Sequence, residues 1–162
     1  MKRTLLAMSV FAMLSVPAIA GIDISTLNTE VKLISSGLGN YGCSSCGKIE
    51  GTIAVKNLGA DKTIIVWIEN PETKKWENLT PNGLLFPRMI SGTLFPHINY
   101  VRELGNGYEE WSFAADGPRF VYAPAKIAIE YKVNGRSYWD SNCGRTYLMN
   151  GYGSKVEGQI CE

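Results

Sequence analysis

The sequence predicts an all-β protein, because its patterns favour strands and no stretch of useful length has helical periodicity. Short apolar segments alternate with polar residues along the chain. Turn signals rich in Gly, Pro, Asn and Asp separate these segments. One of them, Asn134-Gly135, is the strongest kind of short-range signal for a β-hairpin. Together these features predict an antiparallel, immunoglobulin-like β-sandwich with two disulfides.

The first twenty residues have the pattern of a secretory signal peptide. A basic start precedes a short apolar stretch, and Ala18 and Ala20 supply a small-residue cleavage site before Gly21. The apolar stretch is too short to span a membrane. We therefore expect residues 21–162 to form a single domain, which is secreted or periplasmic after cleavage of the signal peptide.

The charge balance does not favour a charged partner. Once Lys2 and Arg3 leave with the signal peptide, 14 of the 16 basic residues remain against 15 acidic ones, a formal charge of −1. A near-neutral surface lacks the basic excess that binds nucleic acid or anionic lipid. We expect no nucleic-acid partner and no membrane partner.

Alternation along the predicted strands indicates which residues form the core. The predicted strands are 25–36, 48–57, 62–69, 98–103, 108–114, 125–133, 136–140, 145–150 and 155–160. Between the third and fourth of them, residues 71–97 are predicted to form long loops with short strand pieces. The predicted core comprises Ile53, Val55, Ile64, Val66, Trp67, Ile68, Trp111, Phe113, Ile127, Ile129 and Tyr131.

The hairpin around Asn134-Gly135 predicts one exposed tryptophan. Counting outward from the turn places Tyr131 opposite Tyr138 and Glu130 opposite Trp139. Tyr131 lies on the apolar face of its strand, so Trp139 lies on the other face, towards solvent. An exposed indole followed by Asp-Ser-Asn is suited to a ligand that is flat and polar, such as a sugar.

The four cysteines are expected to form disulfides, which are the default in secreted proteins. Cys143 and Cys161 each lie nine residues from Tyr152. A hairpin of strands 145–150 and 155–160 centred there would bring their backbones within disulfide reach. This pairing leaves Cys43 with Cys46.

Two alternatives apply to the Cys43–Cys46 pair. A thioredoxin-type redox pair opens a helix, whereas here glycines flank the pair and a strand pattern follows. A zinc site needs further ligands, and the sole histidine, His97, has no ligand spacing to the cysteines. We therefore favour a structural disulfide and expect neither a metal nor any other cofactor.

The order and spacing of several motifs resemble the family 21 carbohydrate-binding modules. The motifs span roughly residues 50–150 and are Val55-Lys56-Asn57, Lys62, Trp67, Trp76, Trp111-Ser112-Phe113, Tyr131-x-Val133-Asn134-Gly135, Tyr138-Trp139-Asp140-x-Asn142 and Tyr147. The modules of this family bind starch and glycogen. The resemblance implies a non-catalytic sandwich whose partner is an α-glucan such as starch, glycogen or maltooligosaccharides.

The resemblance also implies which residues bind the sugar. Trp76 matches a loop tryptophan that stacks on a glucose ring, and Trp139 matches the second aromatic platform. The implied polar contacts are Asn57, Lys62, Asp140 and Asn142. The departures are Ala128 in place of a third aromatic, Ala60 in place of a tyrosine of a second site, Glu130 in place of a basic residue, and Cys143 and Thr146 in place of asparagines.

Other functions remain open at this stage. Trp76 could fold onto the core and Trp139 could pack beneath the 71–97 loops, because large aromatics are mostly buried. The same scaffold could then serve as a module that binds another secreted protein. An enzyme is disfavoured, because a glycosidase needs two carboxylates facing each other across a cleft, and the sequence shows no nucleophile motif.

Overall fold

The computed structural model describes residues 22–40, 47–70, 73–78, 97–116 and 124–161. The predicted signal peptide and the Cys43–Cys46 pair lie outside these residues. A single turn of 3-10 helix, Ile24–Thr26, precedes the strands. The strands are β1 (Val31–Asn40), β2 (Gly47–Lys56), β3 (Lys62–Glu69), β4 (Trp76–Asn78), β5 (His97–Gly105), β6 (Tyr108–Asp116), β7 (Ala125–Val133), β8 (Arg136–Asp140), β9 (Tyr147–Met149) and β10 (Lys155–Glu157).

These strands form two antiparallel sheets. The first has the order β10-β1-β2-β6-β5, and the second has the order β4-β3-β7-β8, with β9 also paired to β7. One apolar core draws on both sheets and is lined by residues such as Leu33, Ile53, Val66, Ile129 and Tyr131. The described structure therefore confirms an all-β antiparallel sandwich, while its immunoglobulin-like character stays a prediction.

The central hairpin has the predicted register. Tyr131 pairs with Tyr138 and Glu130 pairs with Trp139. The two turn residues have positive φ, 51° at Asn134 and 72° at Gly135, as a two-residue type I′ turn requires. This turn fixes which face of β8 meets solvent.

The predicted Cys143–Cys161 disulfide is present, but the hairpin from which it was inferred is wrong. The two Cα atoms lie 5.6 Å apart. However, β9 pairs with β7 in the second sheet, and β10 pairs with β1 in the first. The segment around Tyr152 thus carries the chain from one sheet to the other. The disulfide links the loop after β8 to the C-terminal segment that follows β10.

Candidate functional site

Two tryptophans stack on each other on the outer face of the second sheet. Trp139 is 52% exposed, as predicted from its position opposite Glu130. Trp67, which was predicted in the core, lies on the outer face instead, because Val66 and Ile68 on either side of it point inward. The two ring centroids are 6.3 Å apart, with 24° between the ring planes.

A third tryptophan completes an apolar cleft with this pair. Trp76 lies on β4 opposite Glu69 and is 42% exposed. A cleft of about 350 Å³ is lined by Trp67, Trp76, Ala128, Trp139 and Ser141, and we call it the indole cleft. The structure therefore brings together the two predicted platforms, Trp76 and Trp139, and adds Trp67 as a residue that the sequence analysis missed.

The strand registers place the three indoles along a diagonal of the sheet. Trp76 comes from the edge strand β4, Trp67 from its neighbour β3, and Trp139 from β8, two strands further on. The small side chain of Ala128, the cross-strand partner of Trp67, lines the cleft on β7 between them. From the usual strand spacing and rise, the backbones of Trp76 and Trp139 are roughly 20 Å apart.

Glu130 holds the indole of Trp67 in place. Its side chain is buried at the base of the outer face, and its Oε2 atom accepts a hydrogen bond of 3.0 Å from Trp67 Nε1. Its Oε1 atom lies 3.2 Å from the Nζ atom of Lys132 on the same strand. Because a buried carboxylate must be paired, these two contacts fix both Glu130 and the ring of Trp67.

Asp140 is not a surface residue, which corrects its predicted role as a sugar contact. It lies opposite Ile129 on the core side of β8 and is 5% exposed. Its Oδ1 atom accepts a hydrogen bond from Lys32 Nζ at 3.1 Å. Its Oδ2 atom accepts from the Leu33 amide at 2.6 Å and from the Tyr147 hydroxyl at 2.7 Å. The carboxylate therefore ties β8 to β1 and β9.

The position of Tyr147 in the same cluster changes its pKa. Burial raises the pKa of the Tyr147 hydroxyl, and the neighbouring charge of Asp140 raises it further. The hydroxyl therefore remains a hydrogen-bond donor to Asp140 throughout the physiological pH range. Lys32 Nζ also lies 5.7 Å from the centroid of the Tyr147 ring.

Asn57 and Lys62 also lie apart from the indole cleft, which corrects the prediction of one shared site. Lys62 Nζ donates to Asn57 Oδ1 at 2.9 Å and contacts both carboxylate oxygens of Glu109, at 2.7 and 2.8 Å. Glu109 is buried, so this ion pair links the two sheets. The three side chains line a separate, open hollow of about 770 Å³, together with Ala60, Tyr100 and Trp111.

Trp111, the other tryptophan predicted in the core, is partly buried against it. Its Nε1 atom donates to Glu109 Oε2 at 2.9 Å, and its ring meets that of Tyr100 edge-on with the centroids 5.9 Å apart. These contacts make Trp111 part of the structural network at this end of the sandwich.

Asn142 is half-buried in the loop after β8. Its Nδ2 atom donates to the Thr146 carbonyl at 3.0 Å, while its Oδ1 atom is buried without a partner among the described residues. The φ angles of Asn142, Cys143, Gly144 and Thr146 are all positive, between 52° and 82°. Hydrogen bonds within the loop and the disulfide to Cys161 hold this uncommon conformation.

The described residues contain no group of three or more His, Cys, Asp or Glu side chains arranged to hold a metal ion. No helix among them has the length and hydrophobicity needed to cross a membrane.

Comparison with known proteins gives distant matches. No family model matches the chain. Protein phosphatase 1 regulatory subunit 3B of Homo sapiens is 30% identical over 105 residues, which is 62% of this chain and 31% of the human protein. The Mus musculus subunit is 29% identical over the same length. The chain thus spans about a third of the length of these relatives.

A solved structure with a similar arrangement is the carbohydrate-binding module of the muscle glycogen-targeting subunit of protein phosphatase 1. It is 18% identical, the match covers 80% of this chain and 79% of that module, and the TM-score is 0.46.

Proposed function

We propose that this protein is a non-catalytic module that binds α-1,4-glucan, such as starch, glycogen or maltooligosaccharides, in the indole cleft. The observation that carries this proposal is that three indoles line one open, apolar cleft, and two of them are about half exposed. The order and spacing of the motifs, which resemble those of the family 21 modules that bind starch and glycogen, support the same ligand class.

The chemistry of the cleft suits a pyranose. The axial C–H face of a glucose ring is apolar, and an indole is a large, rigid surface that covers it at low conformational cost. The rings of Trp67 and Trp139 are nearly parallel. Trp76 lies on the other side of Trp67, because its cross-strand partner Glu69 is two residues further along β3. A diagonal of this length accommodates more than one sugar ring.

The absence of catalysis is part of the proposal. Asp140, Glu109 and Glu130 are buried carboxylates that each accept hydrogen bonds from described neighbours. No carboxylate is among the described residues that line the indole cleft. A glycosidase would need two acids placed across the scissile bond, and this lining supplies neither.

A second candidate is a module that binds another secreted protein. One observation favours it, because Lys62, Asn57 and Asp140 are occupied inside the fold and leave the cleft with few polar groups. An apolar cleft rimmed by tryptophans also fits an aromatic anchor of a protein partner.

Retention in a native gel that contains amylose or glycogen separates the two candidates. We expect an affinity in the millimolar to ten-micromolar range, roughly −4 to −7 kcal/mol, as is usual for shallow sites. Trp139→Ala should weaken retention at least about tenfold, since large aromatics carry most of the energy of such sites. Tyr152→Ala is the matched control, because Tyr152 is 57% exposed and does not line the cleft. Absence of wild-type retention on either glucan would favour the protein-binding module.

We also propose that the domain acts outside the cytoplasm, in the periplasm or as a secreted protein. The pattern of residues 1–20 supports this location. The Cys143–Cys161 disulfide is consistent with an oxidising compartment.

A further inference from the structure

Trp139 also borders a second cavity, which Trp67 does not line. This cavity, which we call the disulfide hollow, has a volume of about 180 Å³ and is enclosed by the segment before β1, the loop after β8 and the C-terminal segment. Trp139 and Ser141 line both the indole cleft and the disulfide hollow. The two cavities therefore meet at these residues, and a ligand that crosses the edge of Trp139 passes from one to the other.

The disulfide hollow supplies the polar groups that the indole cleft lacks. Asn28 is exposed at its rim, and its amide group makes no hydrogen bond to another described residue. The Ser141 hydroxyl likewise has no hydrogen-bond partner in the described part of the chain. The buried ion pair of Lys32 and Asp140 lines the interior of the hollow. Lys32 and Asp140 are already paired with each other, so the groups available to the hydroxyls of a sugar are the Asn28 amide and the Ser141 hydroxyl.

A disulfide and a local hydrogen bond lie in the segments that line the hollow. Cys143 and Cys161 both line it, and their disulfide fixes the C-terminal segment against the loop after β8. In the segment before β1, the Thr29 hydroxyl donates to the Val31 carbonyl at 3.3 Å. Because the disulfide already joins two of these segments before a ligand enters, the entropic cost of ordering them on binding is lowered.

We infer that the glucan site continues past Trp139 into the disulfide hollow, where Asn28 and Ser141 form hydrogen bonds to the hydroxyl groups of a further glucose unit. This inference rests on the proposed function and extends it, because it assigns a subsite that only a longer glucan reaches. The indole cleft then supplies most of the affinity, and the hollow makes the affinity depend on chain length.

The inference is tested by calorimetric titration with maltotriose and maltoheptaose. The test variant is Asn28→Ala, because Asn28 lines only the disulfide hollow, and the matched control is Asn150→Ala, which changes an exposed asparagine outside both cavities. We expect the test variant to bind maltoheptaose roughly fivefold more weakly, as the loss of one net hydrogen bond of about 1 kcal/mol predicts, and to bind maltotriose as wild type does.

Other outcomes are equally informative. If the test variant binds both sugars as tightly as wild type does, the subsite is refuted. An equal loss of affinity for both sugars would also refute it, because the effect would then not depend on the length of the glucan. If wild-type protein binds neither sugar, the proposed function itself fails and the subsite with it. Urea unfolding of each variant establishes that the fold is retained.

Discussion

The buried carboxylate of Asp140 provides the sharpest test of the structure, because its sequence context suggests a surface residue. In the structure Asp140 accepts hydrogen bonds from Lys32, the Leu33 amide, Tyr147 and the Asn142 amide, at 2.6 to 3.2 Å. Asp140→Asn keeps the size of the side chain and removes its charge. The amide also replaces one acceptor oxygen by an NH2 group, which then faces donors.

The expected loss of stability follows from these contacts. Lys32 is 3% exposed, so the substitution leaves a buried ammonium group without its counter-charge. Breaking one side of a buried ion pair costs about 3–5 kcal/mol, and the remaining amide oxygen favours the lower end of this range. At about 3 °C per kcal/mol for a domain of this size, the melting temperature should fall by about 10 °C.

Thermal and urea unfolding of Asp140→Asn and of Asp61→Asn measure this difference. Asp61 is exposed, so its substitution should change stability by less than about 0.5 kcal/mol. The double variant with Lys32→Met should recover part of the loss, because it removes both charges. An Asp140→Asn protein that is as stable as wild type but binds amylose weakly would refute the buried position, and would restore Asp140 as a sugar contact.

Three further outcomes are expected. Trp111→Ala should destabilise the domain by about 3 kcal/mol in urea unfolding, whereas Trp139→Ala should mainly reduce glucan affinity. If the two variants had similar effects on stability and on affinity, the different environments of the two tryptophans would be contradicted. Replacing Cys143 and Cys161 by serine should cost about 3 kcal/mol, and non-reducing peptide mapping of wild type should recover the linked peptide. Mass spectrometry of exported protein should show an N-terminus at Gly21, and retention of the preceding residues would disprove the signal peptide.

Local signals predicted the central hairpin correctly. Asn134-Gly135 specifies a two-residue turn, and this turn sets the pairing of residues 129–133 of β7 with residues 136–140 of β8. The same count places Asp140 opposite Ile129 and therefore on the core side. The signal for its burial was thus present in the register, although the Asp-Ser-Asn context suggested an exposed residue. Strict alternation along β3 would likewise have placed Trp67 outside.

Pairing between distant segments was not accessible from local patterns. The C-terminal turn signal correctly indicated a turn near Tyr152, but it did not indicate that β9 pairs with β7 and β10 with β1. The partner of Lys62 is similarly remote, since Glu109 lies 47 residues away on the other sheet. Such contacts depend on how the two sheets pack, which turn and strand signals do not specify.

Charged residues that the sequence pattern predicts at the binding site form ion pairs within the fold instead. The ion pairs Lys32–Asp140 and Lys62–Glu109 link one part of the sandwich to another and are largely buried. Because these charges are neutralised within the fold, they contribute little to attracting a charged ligand. Among the described residues lining the indole cleft, only tryptophan, alanine and serine side chains are present. A cleft of this composition selects for a neutral ligand with an apolar face, as a glucan has, and its affinity should therefore depend on stacking area far more than on ionic strength.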